Sequence, residues 1–173
     1  MGEDRTIMNK LMQSSLALVA LVAGIATAAA AQSNSGSITA TAVVQQPINV
    51  VGAVNMSFGN VFPGVNKTIT LTTAGAGRFD VTGQATSPVN LAFTAVPTNL
   101  VLAPSTNLPV SFIAGYNTTN SAAGATSFPV ASGAATNLSG TGALFVFLGG
   151  TVTPAVNQAA GTYTGTVTLQ VTY

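Results

Sequence analysis

Apolar and polar residues alternate one for one in short runs along most of this chain, and a proline or glycine cuts nearly every run short. A period of two places successive side chains on opposite sides of an extended backbone, giving a strand with one buried and one solvated face. "SITATAV" (37–43) sets Ile38, Ala40 and Ala42 on one face, and "TITLTT" (68–73) does the same with Ile69 and Leu71. "RFDVTG" points Phe79 and Val81 inward and Arg78, Asp80 and Thr82 outward. "VNLAFTA" aligns Val89, Leu91, Phe93 and Ala95, and "VSFIAGY" aligns Val110, Phe112 and Ala114. "ALFVFLGG" (143–150) is apolar on both sides, the mark of a central strand covered on both faces. The longest alternation is "GTYTGTVTLQVTY" (161–173), with Tyr163, Gly165, Val167, Leu169, Val171 and Tyr173 opposite a row of threonines and Gln170.

The breakers include Pro63-Gly64, Gly75, Gly77, Pro88, Pro97, Pro104, Pro109, Pro129, Gly149-Gly150 and Pro154. Prolines and glycines at this spacing punctuate strands, and nothing beyond the leader repeats at a helical interval. The expected class is all-β: an antiparallel sandwich or a barrel. Residues 117–137 are small and polar apart from Phe128, and read as an irregular connection or a strand pair at the surface.

At the other end of the chain, "LALVALVAGIATAAAA" (16–31) is an apolar run ending in small residues and preceded by Arg5 and Lys10. That is the layout of a secretory signal peptide, with cleavage expected after Ala30 or Ala31. The run is short and weakly apolar for a membrane span. Cleavage after Ala31 of the 173-residue sequence leaves 142 residues, enough for one domain with a sizeable core. The expected division is 1–31 signal peptide, 32–50 N-terminal strand and 51–173 sandwich domain.

Beyond the leader, Lys67, Arg78 and Asp80 are the only charged side chains. Soluble domains usually carry about a quarter charged residues. The near absence of charge removes the repulsion that keeps copies apart and so favours association. It also argues against nucleic acid, which needs clustered Lys and Arg. With one carboxylate, no histidine and no cysteine, the mature chain cannot build an acid–base pair, a Ser–His–Asp triad, a thiol nucleophile or a zinc site. Calcium needs several acidic oxygens. The chain is therefore expected to be no enzyme, with no catalytic or metal-binding residues, no cofactor and no small-molecule substrate. Arg78 and Asp80, two apart on a strand, read as a solvated surface pair. "AGAG" (74–77) lacks the Lys-Ser/Thr and the helix of a phosphate loop and reads as a turn.

The two ends of the mature chain suggest assembly. An apolar-faced edge strand is a template for another chain, and natural proteins normally blunt it. Residues 161–173 are not blunted, and Tyr163, Val167, Leu169, Val171 and Tyr173 mark the candidate acceptor strand. The segment after the leader carries short apolar side chains at Ile38, Ala40, Ala42 and Val44, the candidate donor strand. Strand addition couples main-chain hydrogen bonds to pockets for alternate side chains. If the donor enters a neighbouring copy, the contact is head-to-tail and builds an open filament.

"SITATAVVQQPINV", "MSFGNVFPG", "TAGAGRFDVTGQA" and "PAVNQAAGTYTGTVTLQVTY" together resemble the bacterial secreted family known as domain of unknown function 4402. Phe58-Gly59 and "NQAAGTY" (157–163) carry the resemblance best, and it covers nearly the whole mature chain. That family is similar to pilin-like and spore-coat-protein-U-like domains. The resemblance implies an immunoglobulin-like sandwich, a surface or filament role, and no enzymatic activity. Chaperone–usher pilins likewise end on an alternating strand with a near-terminal tyrosine, here Tyr173, and an upstream glycine, here Gly161 or Gly165. Unlike many of them, this chain has no disulfide.

The leading expectation is thus an exported bacterial structural subunit at the cell surface or outside the cell. It would be a pilus- or fimbria-like homopolymer whose partners are copies of itself and periplasmic assembly factors. One alternative is a self-contained secreted sandwich for binding or adhesion, its N-terminal strand paired within its own fold. A second is a small outer-membrane barrel, against which stand the short runs, the repeated prolines and the lack of Trp.

Overall fold

The computed structural model describes residues 34–173, so the proposed signal peptide lies outside the described residues. The chain divides into two units, Met1–Ala42 and Val43–Tyr173. Of the first, residues 34–42 are described; they form no strand, and Ile38 is 97% exposed. All ten strands belong to the second unit, and among the described residues there is no helix.

The strands are β1 (Asn49–Val54), β2 (Lys67–Ile69), β3 (Gly77–Thr82), β4 (Pro88–Ala95), β5 (Asn99–Leu102), β6 (Thr106–Asn117), β7 (Thr126–Phe128), β8 (Ala134–Asn137), β9 (Ala143–Val152) and β10 (Thr168–Thr172). The larger sheet runs β1-β3-β9-β6-β5, with β2 also on β9 and β7 also on β6; the smaller runs β10-β4-β8. Every pairing is antiparallel. Both sheets end in open edges, so neither closes on itself.

β9 is the spine because its sequence is apolar on both faces. It pairs with β3 and then β2 along one edge and with β6 along the other. Leu144, Val146, Leu148 and Val152 turn inward and are fully buried, while Phe147 is buried on the opposite face. The core joins Val81, Ala114, Leu144 and Val146 of the larger sheet to Val89, Leu91 and Leu169 of the smaller. The sheets therefore face each other across one apolar layer, a layout compatible with the expected sandwich. Each such Val or Leu side chain contributes on the order of 2 kcal/mol through burial. Phe93 of the smaller sheet bridges the layer, edge-on to Phe79 (centroids 6.3 Å apart) and stacked on Phe128 (6.0 Å). A second cluster of Leu108, Val110 and Val152 gathers Phe58, Leu100 and Tyr163 at one end of the fold.

Most inward positions read from alternation are inward here: Val81, Val89, Leu91, Val110, Ala114 and Leu169 are buried. Four expectations are corrected. β2 stops at Ile69, because the backbone then closes into turns, with Thr73 N–H donating to Thr70 O and Ala76 N–H to Thr73 O. Leu71 lies in that turn and packs over Gly115, where an added Cβ would come within 2.6 Å of it. Residues 117–137 form neither a loose connection nor a strand pair: β7 joins β6, β8 joins β4, and Phe128 enters the core, so this stretch carries the chain from one sheet to the other. The last alternation is a strand over Thr168–Thr172 alone, not over all of 161–173. Finally, residues 37–43 form no strand among the described residues, and β1 begins at Asn49.

Candidate binding groove

The missing seven residues of the expected last strand explain the main surface feature. Gly161 and Gly165 let residues 161–167 swing off the smaller sheet and lie close to β5. A Cβ on Gly161 would strike Leu102, and one on Gly165 would strike Leu100. A single reciprocal bridge holds the segment there: Val101 N–H donates to Thr164 O at 2.8 Å, and Thr164 N–H donates to Val101 O at 3.0 Å. Among the described residues, the backbone groups of Thr162, Tyr163, Gly165 and Thr166 bond to nothing else. Alternation nevertheless persists, with Tyr163 and Val167 half-buried between exposed threonines. The segment is a strand in pattern without a strand's partner.

Residues 54–63, which leave β1, run along the opposite side, with Met56 and Phe58 turned inward. Between the two segments lies an open groove of about 930 Å³. Core side chains reach its floor: Phe79 from β3, Leu108 and Phe112 from β6, and Leu148 and Val152 from β9. The floor is apolar, while Asn55, Asn60, Arg78, Gln158 and Thr162 give the walls a large polar share.

A polar network closes one end. Tyr163 Oη donates to Ala159 O (2.8 Å), and Gln158 Nε2 donates to Tyr163 Oη (2.6 Å) and to Asn107 O (3.1 Å). It ties the strand-like segment to β6 and leaves no buried side-chain polar atom unpaired among the described residues. "NQAAGTY", prominent in the sequence, supplies both Gln158 and Tyr163.

The candidate acceptor residues therefore divide. Tyr163 and Val167 line the groove, Leu169 and Val171 pack in the main core, and Tyr173 lies at the far end of β10. Register shows that this is the opposite pole: Asn49 of β1 pairs with Thr82, and Thr82 with Ala143, whereas Val54, Gly77 and Leu148 lie beside the groove. There Tyr173 Oη donates to Gln46 O (2.5 Å) and accepts from Gln84 N–H (2.7 Å). Of the candidate donors, Ile38 is 97% and Val44 94% exposed, and Ala40 and Ala42 are exposed too. The groove wall at 54–63 contains Phe58-Gly59, prominent in the sequence, but nothing local in the sequence says that this stretch faces 161–167.

Among the described residues, Arg78 is the one charged side chain lining the groove. Its Nε and Nη2 hold Asp80 at 2.6 and 3.1 Å, Nη1 donates to Asn120 Oδ1, and its guanidinium lies 5.9 Å from the Phe145 ring centroid. The carboxylate is thus engaged in a partly exposed pair, as the surface reading expects. Among the described residues no second acid or base stands beside the pair. Compared with known families and with characterised proteins, the chain matches no family model and no characterised protein.

Proposed function

We propose that this protein is a non-enzymatic structural subunit of an extracellular or cell-surface filament, pilus- or fimbria-like, built head-to-tail by β-strand addition. The observation that carries the reading is a pair of complementary features in one chain. A period-two apolar segment, Ile38-Ala40-Ala42-Val44, stands exposed and forms no strand among the described residues. A groove with an apolar floor is flanked by a strand-patterned segment whose main-chain groups, among the described residues, make only the Thr164–Val101 pair of backbone bonds. Seating Ile38 and Val44 would contribute roughly 1.5–3 kcal/mol each through burial, and main-chain hydrogen bonds would add register. The immunoglobulin-like fold and export through the leader belong to the same proposal, supported by the family resemblance and the signal-peptide layout.

One observation favours the self-contained module instead. The main core is closed without the arm, with Val81, Val89, Leu144 and Val146 at most 1% exposed. Microscopy of purified residues 32–173 separates the two readings. Wild type should form thin uniform fibres, and Ile38→Asp/Val44→Asp should stay monomeric with an unchanged unfolding curve. Wild-type protein that remains monomeric at all concentrations, or a double variant that polymerises normally, overturns the filament.

A further inference from the structure

The rim of the groove carries a second apolar feature that the arm does not account for. The 62–65 turn and the loop after β9 are tied together, with Gly64 N–H donating to Ala155 O at 3.0 Å and Val65 N–H to Phe62 O at 3.1 Å. Gly64, at φ 72°, packs against Val156 so closely that an added Cβ would come within 3.2 Å of its Cγ1. This braced tip exposes Phe62 (69%), Val65 (57%) and Val156 (87%) side by side. Phe62 lines the groove, while Val65 and Val156 stand outside it.

The chain itself limits what can reach this tip. Gln46 is gripped at both main-chain groups: its carbonyl accepts from Tyr173 Oη, and its N–H donates to Gln84 Oε1 at 3.3 Å. Only Gln45 separates Gln46 from Val44. Two residue steps span at most about 7 Å. A copy whose Val44 is seated at the mouth of another copy's groove therefore has its own Gln46 pole within that distance of the mouth. The exposed surface there is uncharged: Gln46, Pro47 and Thr86, the last on a turn braced by Thr86 N–H to Ser139 O.

Resting on the strand-addition reading, we infer that the Phe62–Val65–Val156 tip docks against the Gln46–Pro47–Thr86 pole of the copy that donates the arm. The joint is then a two-part contact, arm in groove and body on body, and the filament is stiff. Tyr173 is the positioning residue, because its hydroxyl fixes where the arm leaves the body.

The test compares a free arm with an attached one. Val65→Ser/Val156→Ser changes two exposed side chains outside the groove. A synthetic peptide of residues 37–44 should bind arm-deleted subunits (45–173) of wild type and variant equally. Filaments of the full mature variant should disassemble about tenfold faster in denaturant, as loss of a small apolar contact implies, and curve more in micrographs. A four-residue Gly-Ser insertion after Gln45 should produce the same loosening, and adding the double substitution to it should do nothing more. Variant filaments as stiff and durable as wild type overturn the inference, as does a variant that weakens peptide binding to the same degree. A peptide that fails to bind the wild-type groove overturns the strand-addition reading itself.

Discussion

The Tyr173 hydroxyl donates a hydrogen bond to the carbonyl of Gln46, 127 residues earlier in the chain. The same oxygen accepts from Gln84 N–H, so three distant segments meet on one phenol. The approach is close, since a Cβ on neighbouring Gly83 would stand 2.8 Å from that oxygen. Tyr173→Phe keeps the ring and removes both bonds. Because the site is exposed and water can replace the partners, the expected loss is about 1 kcal/mol in urea unfolding. An unchanged midpoint would show that the clamp is not maintained in solution.

Leu169 is the buried pivot of β10, 7% exposed and registered opposite Phe93. Leu169→Ala should cost about 2–5 kcal/mol through lost burial and the cavity left behind. Leu169→Lys should abolish folding, because an ammonium there has no partner in the core. A Lys variant with the wild-type melting curve would contradict the burial.

Arg78 and Asp80 form a two-point pair at the surface, with side chains 25% and 32% exposed. Asp80→Asn should cost no more than about 1 kcal/mol, and less in high salt, which screens exposed charges. Filament yield should not change. A large or salt-independent loss would mean that the pair has a role beyond that of a surface contact.

Thr86 sits at φ 60°, a conformation that β-branched residues rarely adopt. Its N–H bond to Ser139 O is unaffected by the side chain. Thr86→Gly should therefore stabilise the monomer, by up to about 1 kcal/mol, the lower end of the cost of such strain. Differential scanning calorimetry reads this directly, and a lower Tm would show that the hydroxyl bond to Ala85 O outweighs the strain.

Where side-chain period alone decides position, the fold could be read in advance. β3, β4 and β6 bury or half-bury the residues their alternation points inward, apart from Ala95, which is exposed at the end of β4, and β9, apolar on both faces, is the central strand. Partner choice could not be read. β7 and β8 are three and four residues long, and nothing local says that one joins β6 and the other β4. The candidate site divides the same way. Tyr163, Val167 and the arm residues were legible as alternation, but the groove exists because 54–63 and 161–167, about a hundred residues apart, both leave their sheets at the same pole.

Sequence by itself determined the all-β class, the inward residues of most long strands, the absence of histidine and cysteine and the presence of an apolar arm. Those follow from the two-residue period of an extended backbone and from which side chains exist at all. Only tertiary structure decided that the last alternation splits. Residues 168–172 find β4, whereas 161–167 are drawn toward β5 by Thr164 and Val101. A strand's pattern encodes which face is apolar, but its hydrogen-bonding edges look alike in every sequence, so pairing depends on which edge the rest of the fold brings near.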